Sequence, residues 1–166
     1  FWTAASINGF WGSIVSVLVS ALVPLIFYKA KKTFYDFLST AAVCAFSCLL
    51  FMGADLRLTL CASYFLFGAM WFVSGFFKIP LTAHYSMKGY GGEDALKNPI
   101  FIKTNRILTF MWGILYIATS LFTYFIMGTE LSSLMALLNS VLPFLMGLFT
   151  AWFQKVYPKM VAKGDA

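Results

Sequence analysis

The polar residues that could do chemistry inside the apolar part of this sequence lie near its C-terminal end. In the last apolar run, the amide of Asn139 and the hydroxyl of Ser140 come shortly before Pro143. A proline inside a helix has no N–H, so the carbonyl four residues earlier, at Asn139, loses its donor. This set can therefore hold a neighbouring helix, or it can line a route for a small polar solute. The tyrosines that would line the same route are Tyr64, Tyr116 and Tyr124.

A second set is basic and occupies the longest polar segment, residues 78–106. Its members are Lys78, Lys88, Lys97, Lys103 and Arg106. Near a membrane surface, each Lys or Arg contributes about 1 kcal/mol of attraction to anionic lipid. We therefore expect these residues to contact anionic lipid headgroups or a protein partner. A net charge of +6 could also indicate nucleic acid binding. The chain leaves no water-exposed domain to carry such a face, so we expect no nucleic acid partner.

The sequence offers little material for catalysis or for a cofactor. His84 is the only histidine, which excludes a bis-histidine haem and a histidine-rich metal site within this chain. No charged residue falls inside the apolar runs 10–28, 37–52, 58–77, 107–127 and 131–153, so the usual proton relay of a pump is missing. His84 with Glu93 and Asp94 is the one combination that could act on a lipid or quinone, and no catalytic motif accompanies it. We expect a protein that is not an enzyme and has no cofactor.

The composition requires a membrane environment for these residues. Hydrophobic residues make up 61% of the 166-residue chain and charged residues 11%, against roughly 45–50% and about 25% in soluble domains. An apolar helix of about 20 residues crosses the hydrocarbon core of a bilayer. Four runs meet this requirement, and the second nearly does so when Phe34 and Tyr35 are counted as interfacial aromatics. We therefore predict an all-α protein with five transmembrane helices at about 10–28, 34–52, 58–77, 107–127 and 131–153.

The charges in the connections predict the orientation. Eleven of the 12 basic residues fall on one side of the five spans, including Lys29, Lys31 and Lys32 after the first. The positive-inside rule then places the N-terminus outside, and the C-terminus and the loop 78–106 in the cytoplasm. We expect a single helix-bundle domain over residues 1–166. The first run has no basic leader and no small-residue exit, which argues against a cleaved signal peptide.

Local signals refine this bundle. Asn98 before Pro99 is typical of a helix start, so we predict a helix from Pro99 that runs into the fourth span. The outer connections near Gly53 and Gly128 are short, which predicts tight helical hairpins. Cys48 and Cys61 are nearly symmetric about the first of these turns; we expect buried thiols, with a disulfide as the alternative. Small residues predict packing seams at Gly12, Ser16 and Ser20, at Thr40, Cys44 and Cys48, and at Thr109 and Gly113.

Several short motifs resemble those of a known family. They are Pro24-Leu25 with Phe27-Tyr28-Lys29, Tyr64, Leu66-Phe67, Val73-Ser74, Lys78 with Pro80-Leu81, Lys103, Asn105 and Trp112-Gly113. In these positions the chain resembles the bacterial septation protein A family, also called intracellular septation or inner membrane-spanning proteins, and its relatives of unknown function. The resemblance implies a five-span inner-membrane protein associated with the cell envelope or division. It implies no catalytic residues.

Two functions follow as expectations. The first is a non-enzymatic membrane protein of the bacterial inner membrane that acts through helix packing and its basic cytoplasmic face. Its partners would be anionic lipids, together with a second copy of the chain or another membrane subunit. The alternative is a facilitator or channel for a small polar solute, with Asn139, Ser140 and Pro143 lining the route.

Overall fold

The computed structural model describes residues 1–26 and 33–164. Within these residues the chain forms helices and no β-strand. The α-helices are α1 (Trp2–Ile7), α2 (Gly9–Ile26), α3 (Phe34–Phe51), α4 (Leu56–Ser74), α5 (Leu81–Ser86), α6 (Pro99–Ile126) and α7 (Leu134–Lys163). Short 3-10 helices cover Met87–Tyr90, Gly92–Lys97 and Glu130–Ser133. The basic cluster Lys29, Lys31 and Lys32 and the predicted end of the first span lie outside the described residues.

Within residues 1–26 and 33–164, four helices are long and apolar enough to cross a membrane. They are α3, α4, α6 and the part of α7 from Leu137 to Lys163, with mean hydropathies of 1.7, 1.5, 1.5 and 1.3. The first apolar run forms a shorter apolar stretch over Gly9–Val23 of α2. The all-α class is therefore confirmed, and the chain is a helical membrane protein. The number of five spans and their orientation stay predictions.

Side chains in the connections fix where two of these helices begin. The Asn98 side-chain oxygen accepts hydrogen bonds from the backbone N–H groups of Ile100 and Phe101, at 2.9 and 3.3 Å. These bonds satisfy donors that the first helical turn leaves without partners. The predicted helix start at Pro99 is confirmed. Thr33 and Asp36 form a capping box that starts α3 in the same way.

Elsewhere the helix bounds differ from the predicted spans. The third span ends at Ser74 instead of residue 77, because the backbone turns at Gly75, whose N–H bonds to both Trp71 and Phe72. The last helix begins three residues late, after the 3-10 helix Glu130–Ser133, and continues ten residues past the predicted end at residue 153. Sequence patterns also gave no sign of α1 or α5, since both are single short turns without a full apolar period.

The described chain divides into two compact units. The first unit comprises residues 1–66 and 118–141, and the second comprises residues 67–117 and 142–166. In the first unit, α1 packs against a small core in which Ala5, Leu50 and Leu60 are buried. Gly12 of α2 is needed there, since a Cβ atom at this position would collide with the backbone of Ala4. The seam predicted at Gly12 therefore faces α1.

In the second unit, α4 and α6 approach closely at two glycines. A Cβ atom at Gly68 would lie 2.7 Å from the Ile117 side chain, and one at Gly113 would lie 2.8 Å from the Phe72 nitrogen. Next to this contact, the ring of Phe110 packs edge-on against those of Phe72 and Phe76. Small residues allow backbones to approach in membranes, where apolar helices gain little from burial alone. The predicted seam at Gly113 is thus a packing contact.

Replacing Gly113 by alanine tests this contact. The added methyl group must displace the Phe72 backbone, so we expect Gly113→Ala to lower the stability of the detergent-solubilised protein by about 1–3 kcal/mol. The matched control is Gly147→Ala in α7, where the new Cβ would meet no atom within 4 Å. We expect this control to leave the thermal unfolding midpoint unchanged or higher. Equal midpoints for both variants would contradict a close helix contact at Gly113.

Candidate functional site

The predicted basic residues converge on one groove of the second unit. It has a volume of about 520 Å³, and we call it the basic groove. Its lining residues are Lys78, Ile79, Leu96, Lys97, Pro99, Ile102, Lys103 and Arg106. Four of the five predicted lipid or partner contacts therefore share one surface, although they come from three separate parts of the chain. Lys88 is exposed in the 3-10 helix Met87–Tyr90 and does not line the groove.

Contacts to neighbouring groups hold these cations in place to different degrees. Arg106 is fixed by a hydrogen bond from its Nη2 atom to the Phe77 carbonyl, at 3.1 Å. The Lys103 ammonium lies 5.6 Å from the centre of the Tyr157 ring, within range of a cation–π interaction. Lys97 pairs with Asp94 at 2.6 Å, but both side chains are at least 80% exposed. A pair so exposed contributes little, so Lys97 can turn toward another anion.

The groove combines positive charge with apolar walls. Ile79, Leu96 and Ile102 line it beside the four basic residues, and no acidic residue is among its lining residues. Phosphate binds well to Lys and Arg, and an apolar wall beside the cations suits a hydrocarbon chain. This arrangement fits the headgroup and upper acyl chain of an anionic phospholipid.

The second unit also contains a buried polar network that sequence reasoning missed. Gln154 donates from Nε2 to Asn105 Oδ1 at 2.8 Å and to Ser86 Oγ at 2.6 Å. The hydroxyl oxygens of Thr82 and Thr109 lie 2.9 Å apart, and the Thr82 backbone N–H donates to Thr109. The sequence carried one signal for this network. Gln154 is the only glutamine in the chain, and it directly follows the predicted end of the last span.

In the first unit, the predicted polar set of the last span contacts α1. Asn139 is 4% exposed and donates from Nδ2 to Ser6 Oγ at 2.8 Å. The hydroxyl oxygens of Ser140 and Thr3 lie 3.2 Å apart. The Asn139 Oδ1 atom is buried and accepts no hydrogen bond from the described residues. The predicted helix-contact role therefore has a concrete partner in α1.

The predicted tyrosines occupy three different environments. Tyr64 stacks on Trp2 of α1, with ring centres 4.4 Å apart, and the Trp2 indole donates to Ser63 Oγ. The Arg57 guanidinium lies 4.1 Å from the centre of the Tyr124 ring. The ring of Tyr116 packs with Trp71 and Trp112 in the second unit. Pro143 also belongs to the second unit, within α7.

The remaining candidates lie in α5 and in the 3-10 helix Gly92–Lys97, both in the second unit. His84 is half-buried in α5, whereas Glu93 and Asp94 are exposed in the 3-10 helix Gly92–Lys97. Over residues 1–26 and 33–164, no three His, Cys, Asp or Glu residues lie close enough together to hold a metal ion. The three thiols, at Cys44, Cys48 and Cys61, are free. The expectation that they are buried within the chain is wrong, because Cys48 is exposed and Cys44 and Cys61 are only partly covered.

Comparison of the chain with protein-family models, curated proteins and solved structures found no match. A functional conclusion therefore depends on the contacts and charges of the chain's own residues.

Proposed function

We propose that this chain is a non-enzymatic membrane protein whose basic groove binds the headgroups of anionic phospholipids. The supporting observation is the convergence of Lys78, Lys97, Lys103 and Arg106 on one groove with apolar walls. In an α-helical membrane protein, such a groove lies where a helix leaves the hydrocarbon, because the polar residues 103–106 of α6 come directly before the apolar stretch that starts at Ile107. Headgroup phosphates occupy this same depth in a bilayer.

The orientation that suits this function has five spans, with the N-terminus outside. In this arrangement α2 is the first span, and the groove faces the cytoplasm. Cytoplasmic leaflets carry anionic lipid and attract basic segments. The charge distribution supports this topology, since Arg57 is the one basic residue outside the connections assigned to the cytoplasm.

The family resemblance supports a proposal for the role of the protein in the cell. Motifs such as Pro80-Leu81 and Trp112-Gly113 are similar to those of septation protein A, which favours a role at the bacterial inner membrane in envelope maintenance or division. Such a role needs a membrane partner, either a second copy of the chain or another subunit. The face of α7 with Phe144, Leu148 and Trp152, each more than half exposed, is available for that contact.

The alternative function is a facilitator for a small polar solute. One observation favours it, namely the buried Oδ1 atom of Asn139 that has no partner among the described residues. A buried acceptor of this kind suits a water molecule or a solute hydroxyl. In this alternative α1 closes the route, because Thr3 and Ser6 already contact Ser140 and Asn139.

Removing two groove charges tests the lipid-binding function. We expect Lys78→Gln/Lys103→Gln to weaken binding of phosphatidylglycerol about tenfold or more, since each cation near the surface contributes about 1 kcal/mol. Binding is measured by native mass spectrometry from nanodiscs that contain phosphatidylglycerol in a phosphatidylcholine background. The matched control, Lys88→Gln/Lys163→Gln, removes the same charge outside the groove and should bind like the unmodified protein. Equal losses in both variants would reject a specific groove.

Single cysteines test the five-span topology in a variant that has alanine at Cys44, Cys48 and Cys61. We expect a membrane-impermeant maleimide to label Thr129→Cys in intact cells and to label Gly89→Cys only after the membrane is opened. Both positions are exposed, so a difference in labelling reports the side of the membrane. Labelling of Gly89→Cys in intact cells would overturn the proposed orientation.

The alternative is tested by solute flux. If Asn139 lines a route, Asn139→Leu should abolish glycerol permeation into proteoliposomes, because the only buried amide of α7 in the first unit is lost. The control is Val141→Leu, an exposed apolar position two residues away on the same helix. Glycerol flux that is the same in Asn139→Leu and in the unmodified protein would reject the facilitator.

A further inference from the structure

The second unit contains another cavity, which shares no lining residue with the basic groove. Its volume is about 370 Å³, and we call it the α6–α7 pocket. The residues that line it are Tyr90, Ala95, Asn98, Ile100, Phe101, Thr104, Asn105, Gln154, Lys155, Pro158 and Lys159. Small-molecule sites in proteins usually range from about 300 to 1,000 Å³. The pocket therefore suits a ligand of the size of a single headgroup.

Two lysines provide the charge of this pocket. Lys155 and Lys159 are exposed and lie one helical turn apart on α7. Like charges at this spacing repel each other on a helix. No acidic residue is among the residues that line the pocket. A phosphate placed between the two ammonium groups would remove the repulsion and accept hydrogen bonds from both.

The buried part of the pocket offers hydrogen-bond acceptors. Gln154 is only 9% exposed, and its Nε2 atom is held by Asn105 and Ser86. Both of these bonds use the nitrogen, so the carboxamide is fixed and its Oε1 atom remains an acceptor. Pro158 also lies in α7 and has no N–H, so the Gln154 backbone carbonyl lacks its usual donor four residues on. Gln154 thus presents two acceptors beside Lys155.

Apolar groups complete the wall of the pocket. The rings of Tyr90 and Phe101 pack with their centres 5.5 Å apart, and Ile100 adjoins them along the lining. A ligand with carbon-bound hydrogens can pack on this wall while its hydroxyl groups reach the acceptors. The three features together suit an anion that also carries hydroxyl donors.

We propose that the α6–α7 pocket binds a polyol phosphate. The phosphate lies between Lys155 and Lys159, and hydroxyl groups of the polyol donate to the Oε1 atom and the backbone carbonyl of Gln154. This chemistry occurs in free glycerol 3-phosphate and in the headgroup of phosphatidylglycerol. The pocket differs from the basic groove, whose lining lacks such buried acceptors. The basic groove recognises negative charge alone, whereas the pocket also recognises hydroxyl groups.

The test uses the full chain and both sources of the ligand. In the first experiment, glycerol 3-phosphate is titrated into the detergent-purified protein and its affinity is measured by calorimetry. In the second, the protein is placed in nanodiscs, and binding of phosphatidylglycerol is compared with binding of phosphatidic acid, which lacks the polyol headgroup. We expect Lys155→Gln/Lys159→Gln to weaken binding of glycerol 3-phosphate or of phosphatidylglycerol about tenfold or more. The matched control is Lys78→Gln/Lys103→Gln in the basic groove. This control should leave the calorimetric affinity for glycerol 3-phosphate unchanged. It should also leave the preference for phosphatidylglycerol over phosphatidic acid unchanged.

The variant Gln154→Met tests separately the contacts between the hydroxyl groups of the ligand and Gln154. Methionine keeps a similar size and loses the side-chain acceptor, so the preference for phosphatidylglycerol over phosphatidic acid should fall several-fold while binding of phosphatidic acid persists. If this variant fails to fold, the exposed lysine pair and the preference of the unmodified protein still decide the question. Binding of glycerol 3-phosphate supports a soluble ligand, and binding of phosphatidylglycerol alone supports a lipid.

Three results would overturn the inference. These are binding of neither ligand, no preference for phosphatidylglycerol in the absence of glycerol 3-phosphate binding, and a pocket variant that binds both ligands like the unmodified protein. Different results would reject the proposal for the basic groove and the proposal for the α6–α7 pocket. A groove variant that alone loses phosphatidylglycerol rejects the pocket and supports the groove, whereas a loss confined to the pocket variant rejects the groove.

Discussion

The absence of water from the hydrocarbon core constrains every polar group within the apolar helices of this chain. A hydroxyl or amide in that region must find its partner within the protein. Most hydroxyls do so locally: Ser16, Thr40 and Thr123 each donate to the carbonyl four residues earlier on their own helix, at 2.7–2.9 Å. These residues are satisfied without any ligand. They explain why a chain with many Ser and Thr residues in its spans need not be a transporter.

The polar side chains that pair with distant residues play different roles in the two units. In the first unit, Asn139 and Ser140 reach across the sequence to α1, which makes them contacts that hold the N-terminal helix. In the second unit, Gln154 and Asn105 join α7 to α6 just where both helices acquire lysines. Among the described residues, the basic groups are concentrated in the second unit, whereas Arg57 is the one basic residue of the first. This separation supports the proposed binding of anionic lipid by the second unit.

The sequence predicted features that depend on neighbours along the chain. The cap at Asn98, the start at Pro99 and the apolar helices all follow from local chemistry or periodicity, and the structure contains them. It could not predict contacts between distant segments, such as Gln154 with Asn105 or Trp2 with Ser63, because no pattern within one helix specifies its partner. The convergence of Lys78, Lys97, Lys103 and Arg106 was missed for the same reason. Charge counting placed them on one side of the membrane, and only the packing of α6 against the loop brings them into one groove.

The most direct test of the account is the lipid that the unmodified protein retains from its own membrane. The protein is extracted gently, and the lipids bound to it are identified by mass spectrometry and compared with those of the bulk membrane. We expect anionic phospholipids to be enriched in the bound fraction, and the enrichment to fall when the salt concentration is raised, because screening weakens charge pairs at an exposed surface. A bound fraction with the same composition as the bulk membrane would contradict the account.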